Sequence, residues 1–428
     1  MTDTPPDNAP PPDDQPGEAG PLVFLVAGEA SGDNLGARLM AALKARTGNR
    51  IRFAGVGGAA MAREGLVSLF PMGELSVMGL AEILPHLPRL LRRLGETAAE
   101  VVRLRPQVVV TIDSPEFSFR VARRIAHLGI PRIHYVAPQV WAWRPGRARK
   151  LVGTIDHLLT LLPFEPRFFE AAGLPCSFVG HSVVESGAGR GDGAAFRDRH
   201  GIAPAATVIS VLPGSRHNEV RRLLPIFERA TEILARDRPQ LAFAVSTVEA
   251  VREEVAAAVR TWPRAAIVVT DPAEKFDAFA ASRAAIAKSG TVTLELALAG
   301  VPMVVCYKVS AVTGFLARRL VRVDHAGLVN LLADRVVAPE LMQEACTPAG
   351  IAEKVAPLLD EGAARAAQLA GFEAVVGRLG SKSAAPSERA AEAVLEVIAA
   401  AAGEAETEAP RASSAIPAAS GTKNPSIR

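Results

Sequence analysis

The amino-acid sequence predicts an α/β chain of two doubly wound parallel sheets, Rossmann-like, with a cleft between them. Three observations carry that expectation. Short apolar runs of strand length alternate with helical stretches. The alternation stops once, at the polar, glycine-rich bridge ESGAGRGDGAAF (Glu185 to Phe196). It then restarts. In such sheets ligands sit past the carboxyl ends of the strands, so the residue just after each strand matters most. The 428 residues are enough for two domains of ordinary size. The expected boundaries are a disordered tail over 1–20, a first domain over 21–185, a linker over 186–200, a second domain with closing helices over 201–402 and a disordered tail over 403–428.

The first series of strands is PLVFLVAG, IRFAGVGG, VVVTID, RIHYVA, HLLTLLP and CSFVG. The second is TVISVLPGS, LAFAVST, AAIVVT, AAIAKSG and PMVVCYKV. The opening MTDTPPDNAPPPDDQPGEAG is Pro-rich, acidic and nearly free of apolar residues, a composition that does not fold. It carries five acids and no base, while 403–428 carry three of each, so the core between them stands at +8 against +3 for the chain. That charge suits an anionic ligand or an anionic membrane surface and is too diffuse for nucleic acid. Three widely spaced cysteines, Cys176, Cys306 and Cys346, form neither a metal spacing nor a disulfide framework. No run reaches the ~18 apolar residues of a membrane span, and no charged-then-apolar leader stands at the start.

Five segments place polar residues where chemistry is expected. LVAGEASGDNLGARLM follows the first strand with Gly28, Gly32 and Gly36. A dinucleotide turn needs G-x-G-x-x-G and an acid at the tip of the second strand, and both are missing. Glu29, Ser31 and Asp33 nevertheless stand at a strand-to-helix turn, as ligand-facing groups or as a helix cap. In VVVTIDSPEF, Asp113 ends an apolar strand, as an N-cap or as a general base. In SVLPGSRHNEV, the turn Gly214-Ser215-Arg216 offers N–H groups and a guanidinium to phosphate oxygens, unless Arg216 pairs with Glu219. In AKSGTVTLELALAGVPMVV, Ser289-Gly290-Thr291 opens a helix suited to a diphosphate. Glu295, one turn on, is placed for ribose hydroxyls or is merely solvated. GELSVMGLAEILPHLPRLLRRLGE repeats Leu80, Ile83, Leu84, Leu87, Leu91 and Leu94 at helical spacing, beside Arg89, Arg92 and Arg93. Val77, Met78 and Leu90 widen that face, so it reads as a core-facing helix or an interfacial one. His134, His181 and His325 stand alone. Trp141 and Trp143, near Arg144, Arg147 and Arg149, are open to packing or ligand roles. No D-x-D, H-E-x-x-H or His/Cys cluster appears, so no metal and no cofactor are expected.

Together GEASGD, GVGGAAMAREG, ELSVMGLAEIL, IDSPEF, HYVAPQVWAWR, LPFE, FVGH, LPGSR, AKSGTVTLELALAGVPMVV and VNLLADRVVAPELMQ resemble one family, the bacterial lipid-A-disaccharide synthases. The similar segments occur in family order over roughly residues 22 to 395. Ser114, Glu116 and Val329 depart from the residues common in related sequences. The resemblance implies a GT-B glycosyltransferase. It implies inverting transfer of a diacylglucosaminyl group from UDP to the 6-hydroxyl of diacylglucosamine 1-phosphate (lipid X), giving a β-1,6 disaccharide 1-phosphate and UDP. It places Asp113 as the base and Arg216 in the UDP site, lined also by Ser289, Gly290, Thr291, Glu295 and Asn330. Glu29, Ser31 and Asp33 would then face the acceptor. Acylated substrates turn Val77, Met78, Leu80, Ile83, Leu84 and Leu87 into expected membrane contacts, on a cytoplasmic protein bound peripherally to the inner leaflet. A homodimer stays open. A UDP-N-acetylglucosamine 2-epimerase-like enzyme and a non-enzymatic lipid-binding protein are the rival readings.

Overall fold

The computed structural model describes residues 20–75, 80–138, 145–262, 266–309, 325–380 and 384–412. The expected N-terminal tail therefore lies outside them up to residue 19. The last helix, Pro386–Ala412, runs on into the stretch expected as a C-terminal tail, and 413–428 lie outside the described residues.

Among the described residues twelve strands form two six-stranded sheets. The first contains β1 (Leu22–Ala27), β2 (Arg52–Val56), β3 (Val108–Ile112), β4 (Arg132–Tyr135), β5 (His157–Thr160) and β6 (Cys176–Phe178), in the order β2-β1-β3-β4-β5-β6. The second contains β7 (Thr207–Leu212), β8 (Leu241–Ser246), β9 (Ala266–Val269), β10 (Ser282–Lys288), β11 (Met303–Tyr307) and β12 (Glu340–Met342), in the order β12-β11-β10-β7-β8-β9. The pairs β1–β2, β1–β3, β3–β4 and β4–β5 are parallel, as are all five pairs of the second sheet. Helices cover such sheets on both faces, so central strands are apolar throughout rather than alternating. All six residues of β1 are buried. Eleven strands match the sequence expectation. β12 was not expected, because its three residues, ELM, begin with an acid and form no apolar run.

Among the described residues, those up to Val136, 151–159 and those from Ala390 onward pack as one unit, and 137–150 with 160–389 as another. The first centres on Phe24, Val26, Phe70, Val101, Val109 and Val121. The second has one core around Phe227, Phe243, Ile286 and Val355 and another around Phe279, Leu294, Met303 and Phe372.

Two boundaries differ from expectation. The last helix is divided, and its part from Ala390 belongs with the first unit. There it buries Ala390, Ala391, Ala393 and Val394, and Glu392 accepts a hydrogen bond from Arg46 at 3.2 Å. The expected linker 186–200 is folded against helix Pro272–Ala281. Asp192 caps helix Gly193–Arg199 by accepting from the Ala195 N–H at 2.9 Å, and Phe196 is fully buried. A Cβ on Gly191 would overlap the Phe276 carbonyl, and one on Gly193 would lie 2.6 Å from the Ala280 carbonyl carbon. These glycines permit backbone-to-backbone approach; they do not loosen a hinge.

The helix Leu80–Leu104 runs through Pro85 and Pro88. Its apolar positions divide between two directions. Leu94, Ala98 and Val101 enter the first unit's core, with Leu90 packed partly against it, whereas Leu87 and Leu91 are 37% and 50% exposed. Arg89 and Arg92 are exposed, but Arg93 is locked to Glu74 and Glu96 at 2.8 and 2.6 Å and lies over the Phe70 ring. Val77 and Met78 lie outside the described residues, as do the side chains of Leu80, Ile83 and Leu84.

Candidate active site

In a doubly wound sheet the chain reverses its direction of travel between two neighbouring strands, and the loops leaving those strands part to open a crevice. The first sheet reverses between β1 and β3, where Ala27 lies beside Ile112. The loops after these strands carry Glu29, Ser31 and Asp113. Ser31 Oγ donates to Asp113 Oδ2 at 3.2 Å, which brings two of the expected site residues together. Asp113 and the next residue, Ser114, both adopt left-handed backbone, with φ of 54° and 44°. Each such non-glycine residue costs of order 1–3 kcal/mol and persists only where its surroundings hold it. Here the Asp113 N–H donates to the Tyr135 carbonyl at 2.9 Å, and its carbonyl accepts from Ser118 Oγ at 2.7 Å. Its Oδ1 accepts from the Ser114 N–H, ahead of the helix Pro115–Arg124. That helix takes its N-cap at Ser114 with no side-chain cap, so the cap alternative for Asp113 is not realised.

The three glycines of the opening loop settle a separate question. A Cβ at Gly28 would strike Ser114, one at Gly32 would lie 3.2 Å from the Ile112 carbonyl oxygen, and one at Gly36 would lie 2.6 Å from Met61 Sδ. Gly32 and Gly36, four apart, share one face of helix Ala30–Thr47, which thereby closes on its neighbours, while Gly28 lies in the turn just before it. Glu29 is half-buried at that helix's N-cap and Ser31 is exposed.

Asp33 requires a correction. It is buried, and its carboxylate accepts from the N–H groups of Gly58, Ala60 and Met61 at 2.8, 2.8 and 3.0 Å. It fastens the first helix to the start of helix Ala59–Arg63 and does not face an acceptor.

The second sheet reverses between β7 and β10, where Leu212 lies beside Ala287. The loops that follow carry Gly214-Ser215-Arg216 and Ser289-Gly290-Thr291. Gly214 has φ of 116°, a turn that leads into helix His217–Asp237. Arg216 is exposed and its guanidinium lies 3.3 Å from Glu219, so the ion-pair alternative is present. Glu219 Oε2 also accepts from the Ser215 N–H at 3.2 Å, and Oε1 stands 2.8 Å from Lys288 Nζ. Burial raises the Glu219 pKa, but the hydrogen bond and charge of Lys288, helped by Ser215 and Arg216, bring it below the ordinary carboxylate value.

Gly290 and Thr291 offer N–H groups that donate to no acceptor among the described residues. Thr291 is exposed. Ser289 is buried, and its hydroxyl donates inward to the Ala326 carbonyl at 2.8 Å, which corrects its expected ligand-facing role. Glu295 is neither solvated nor open. It pairs with Lys275 at 2.7 Å, and Lys275 in turn lies over the Phe276 ring.

Asn330 is the clearest correction. It is 1% exposed. Its amide donates to the Ala338 carbonyl and to Glu340, each at 2.7 Å, and its oxygen accepts from the N–H groups of Val337 and Ala338 at 2.8 and 2.9 Å. Two donors and two lone pairs exhaust what an amide can do, so nothing is left for a ligand. Glu340 caps the helix Leu328–Ala333 through the N–H groups of Ala326 and Gly327.

Sequence reasoning passed over Lys288, and it named Glu219 only as a partner for Arg216. The available signal was a lysine closing the apolar strand AAIAK, directly before Ser289. His134 and His181 are buried: burial pushes His134 down to about 3 and His181 down to about 4, and each uses Nδ1, against Thr111 Oγ1 and the Val183 N–H respectively. Trp141, Trp143 and Arg144 lie outside the described residues. Among the described residues no group of three His, Cys, Asp or Glu side chains could hold a metal ion.

Residues 23–394 match the family model described as lipid-A-disaccharide synthetase. The chain belongs to the lipid-A-disaccharide synthase family. The enzyme is 57% identical over 379 residues to the lipid-A-disaccharide synthase of Rhodospirillum centenum, covering 88% of this chain and 94% of that one. Against the corresponding synthase of Paramagnetospirillum magneticum it is 51% identical over 381 residues, covering 88% and 97%. Solved structures share the fold at low identity. MurG of Acinetobacter baumannii superposes with a TM-score of 0.53 at 15% identity over 88% of this chain and 99% of that one. UDP-GlcNAc 2-epimerase of Neisseria meningitidis superposes with 0.54 at 12% identity over 84% and 99%. The enzyme is thus a GT-B glycosyltransferase whose family acts on lipid A precursors, and the epimerase and lipid-binding readings give way. The likeness to epimerases is one of fold alone.

Proposed function

We propose that the enzyme transfers a 2,3-diacylglucosaminyl group from UDP to the 6-hydroxyl of 2,3-diacylglucosamine 1-phosphate, with Asp113 as base. The observation that carries this reading is the pairing of Asp113 with Ser31 at the switch point of the first sheet, on strained backbone. An α-linked donor giving a β-linked product needs one in-line displacement. Asp113 takes the acceptor hydroxyl proton. Arg216, with the N–H groups of Gly290 and Thr291, offsets the charge growing on the departing UDP. Incubating the protein with UDP-diacylglucosamine and lipid X should give equal amounts of disaccharide and UDP by mass spectrometry. Consumption of donor without acceptor would instead favour an epimerase-like activity.

Two expectations belong to the same reading. The leaving-group charge is met by fixed protein groups, so activity should survive thorough chelation. Loss on EDTA treatment, restored by Mg²⁺ or Mn²⁺, would overturn this.

The enzyme works at the inner leaflet of the cytoplasmic membrane, held peripherally by the start of helix Leu80–Leu104. No helix among the described residues is long and apolar enough to cross a membrane. The exposure of Leu87 and Leu91 beside Arg89 and Arg92 supports an interfacial face. Apolar burial contributes ~25 cal/mol per Å² there. Leu84→Ser, Leu87→Ser and Leu91→Ser together should move the protein from membrane to soluble fractions with little change in melting temperature. Unchanged partitioning with a large drop in melting temperature would show a core face.

A further inference from the structure

Lys288 closes β10, a strand otherwise apolar from Ala284 to Ala287, and its side chain is only 17% exposed. A lysine so covered needs a partner, and Glu219 supplies it at 2.8 Å. That carboxylate is shared. Arg216 at 3.3 Å and the Ser215 N–H at 3.2 Å address the same side chain. Two cations thus face one anion, so the cluster keeps a net positive charge at the mouth of the β7–β10 switch point. The space beside it is open: a Cβ placed on Gly290 would meet nothing nearer than Lys288 Nζ, at 3.8 Å. Glu219 presents carboxylate oxygens to the three donors that phosphate oxygens would use.

We infer that Lys288 is a second diphosphate-binding cation, with Glu219 holding it, Arg216 and the Ser215 N–H in place for the donor. The inference rests on the reading that the UDP-sugar binds at this switch point. Lys288 lies on the strand after which Ser289-Gly290-Thr291 turns, and it shares Glu219 Oε1 with Arg216, so both cations stand where the two loops meet. A nucleoside without phosphates gains nothing from it.

The test is calorimetric titration of the full chain with UDP, UMP and uridine. Lys288→Met should weaken UDP by about 10–100-fold, the range of a charge-assisted hydrogen bond. UMP should weaken less and uridine not at all. Because Lys288→Met strands a half-buried Glu219, the double variant Lys288→Met/Glu219→Gln removes both charges. It should bind UDP as weakly as Lys288→Met. Three results would overturn the inference: UDP affinity unchanged in Lys288→Met, equal losses for UDP and uridine, or full recovery in the double variant. The last would show that Lys288 only neutralises Glu219. If the parent protein does not prefer UDP to uridine, the placement of the donor at this site fails, and the role of Lys288 fails with it.

Discussion

Asp113→Asn should lower turnover by ~10²–10⁴ while leaving UDP affinity unchanged. The reduction corresponds to about 2.7–5.5 kcal/mol of barrier. The substitution is nearly isosteric. The amide oxygen can still accept from the Ser114 N–H, the amide NH2 that replaces Oδ2 can donate to Ser31 Oγ in a reversed hydrogen bond, and the backbone bonds from the Asp113 N–H to Tyr135 and from Ser118 to the Asp113 carbonyl do not involve the side chain. The loop should therefore hold its shape, and only the capacity to take a proton is removed. Disaccharide formation and a UDP titration on the same preparation make the comparison. Turnover equal to the parent's would reduce Asp113 to a structural residue of a tight turn. A parallel loss of UDP affinity would point to a wider collapse of the loop.

The second large effect falls on stability. Asn330→Ala should destabilise the second unit by about 3–5 kcal/mol, since each buried polar group left without a partner costs about 1–3 kcal/mol. The groups left behind are the N–H of Val337, the N–H and carbonyl of Ala338 and one oxygen of Glu340. Glu340 also caps helix Leu328–Ala333, so loss of Asn330 loosens two connections at once. The urea midpoint should fall, while UDP affinity of the folded protein stays as it was. A variant of parental stability that has lost UDP would restore Asn330 to the ligand site.

These two residues also show what the sequence can and cannot convey. Asp113 stands at a strand tip and Asn330 in the short helix Leu328–Ala333, each a polar residue among apolar neighbours, and both invite a functional reading. For Asp113 the position at a strand tip was enough to foretell where the residue stands, because a strand fixes the direction of the residue that follows it. Asn330 and Asp33 follow no strand directly. Their side chains turn inward to N–H groups contributed by residues seven to eight and twenty-five to twenty-eight positions away, which no local pattern encodes. Most strands were legible because a parallel strand covered on both faces is apolar along its length, and those runs announced themselves. The bridge was misread because glycine content reports a missing Cβ and not its purpose. Gly191 and Gly193 lack one to admit another backbone, and composition alone looks the same as a flexible joint. Lys288 and its pairing with Glu219 escaped because each reads as an ordinary surface charge until the sheet brings β7 beside β10.

The divided last helix has a consequence for biogenesis. Proteins leave the ribosome amino end first, and early domains ordinarily close before later ones are made. Here the first unit draws on residues from Ala390 onward, so its final surface exists only after Thr160 to Arg389 have been synthesised. At ~5–20 residues per second that is a delay of roughly 10–50 s. During it the nascent first unit lacks Val394 and the alanines buried beside it in the finished fold, an interval in which a holding chaperone has something apolar to grip. A gene fragment ending before this helix should for the same reason yield an amino-terminal unit prone to clump, and supplying the helix as a separate peptide should keep it dispersed.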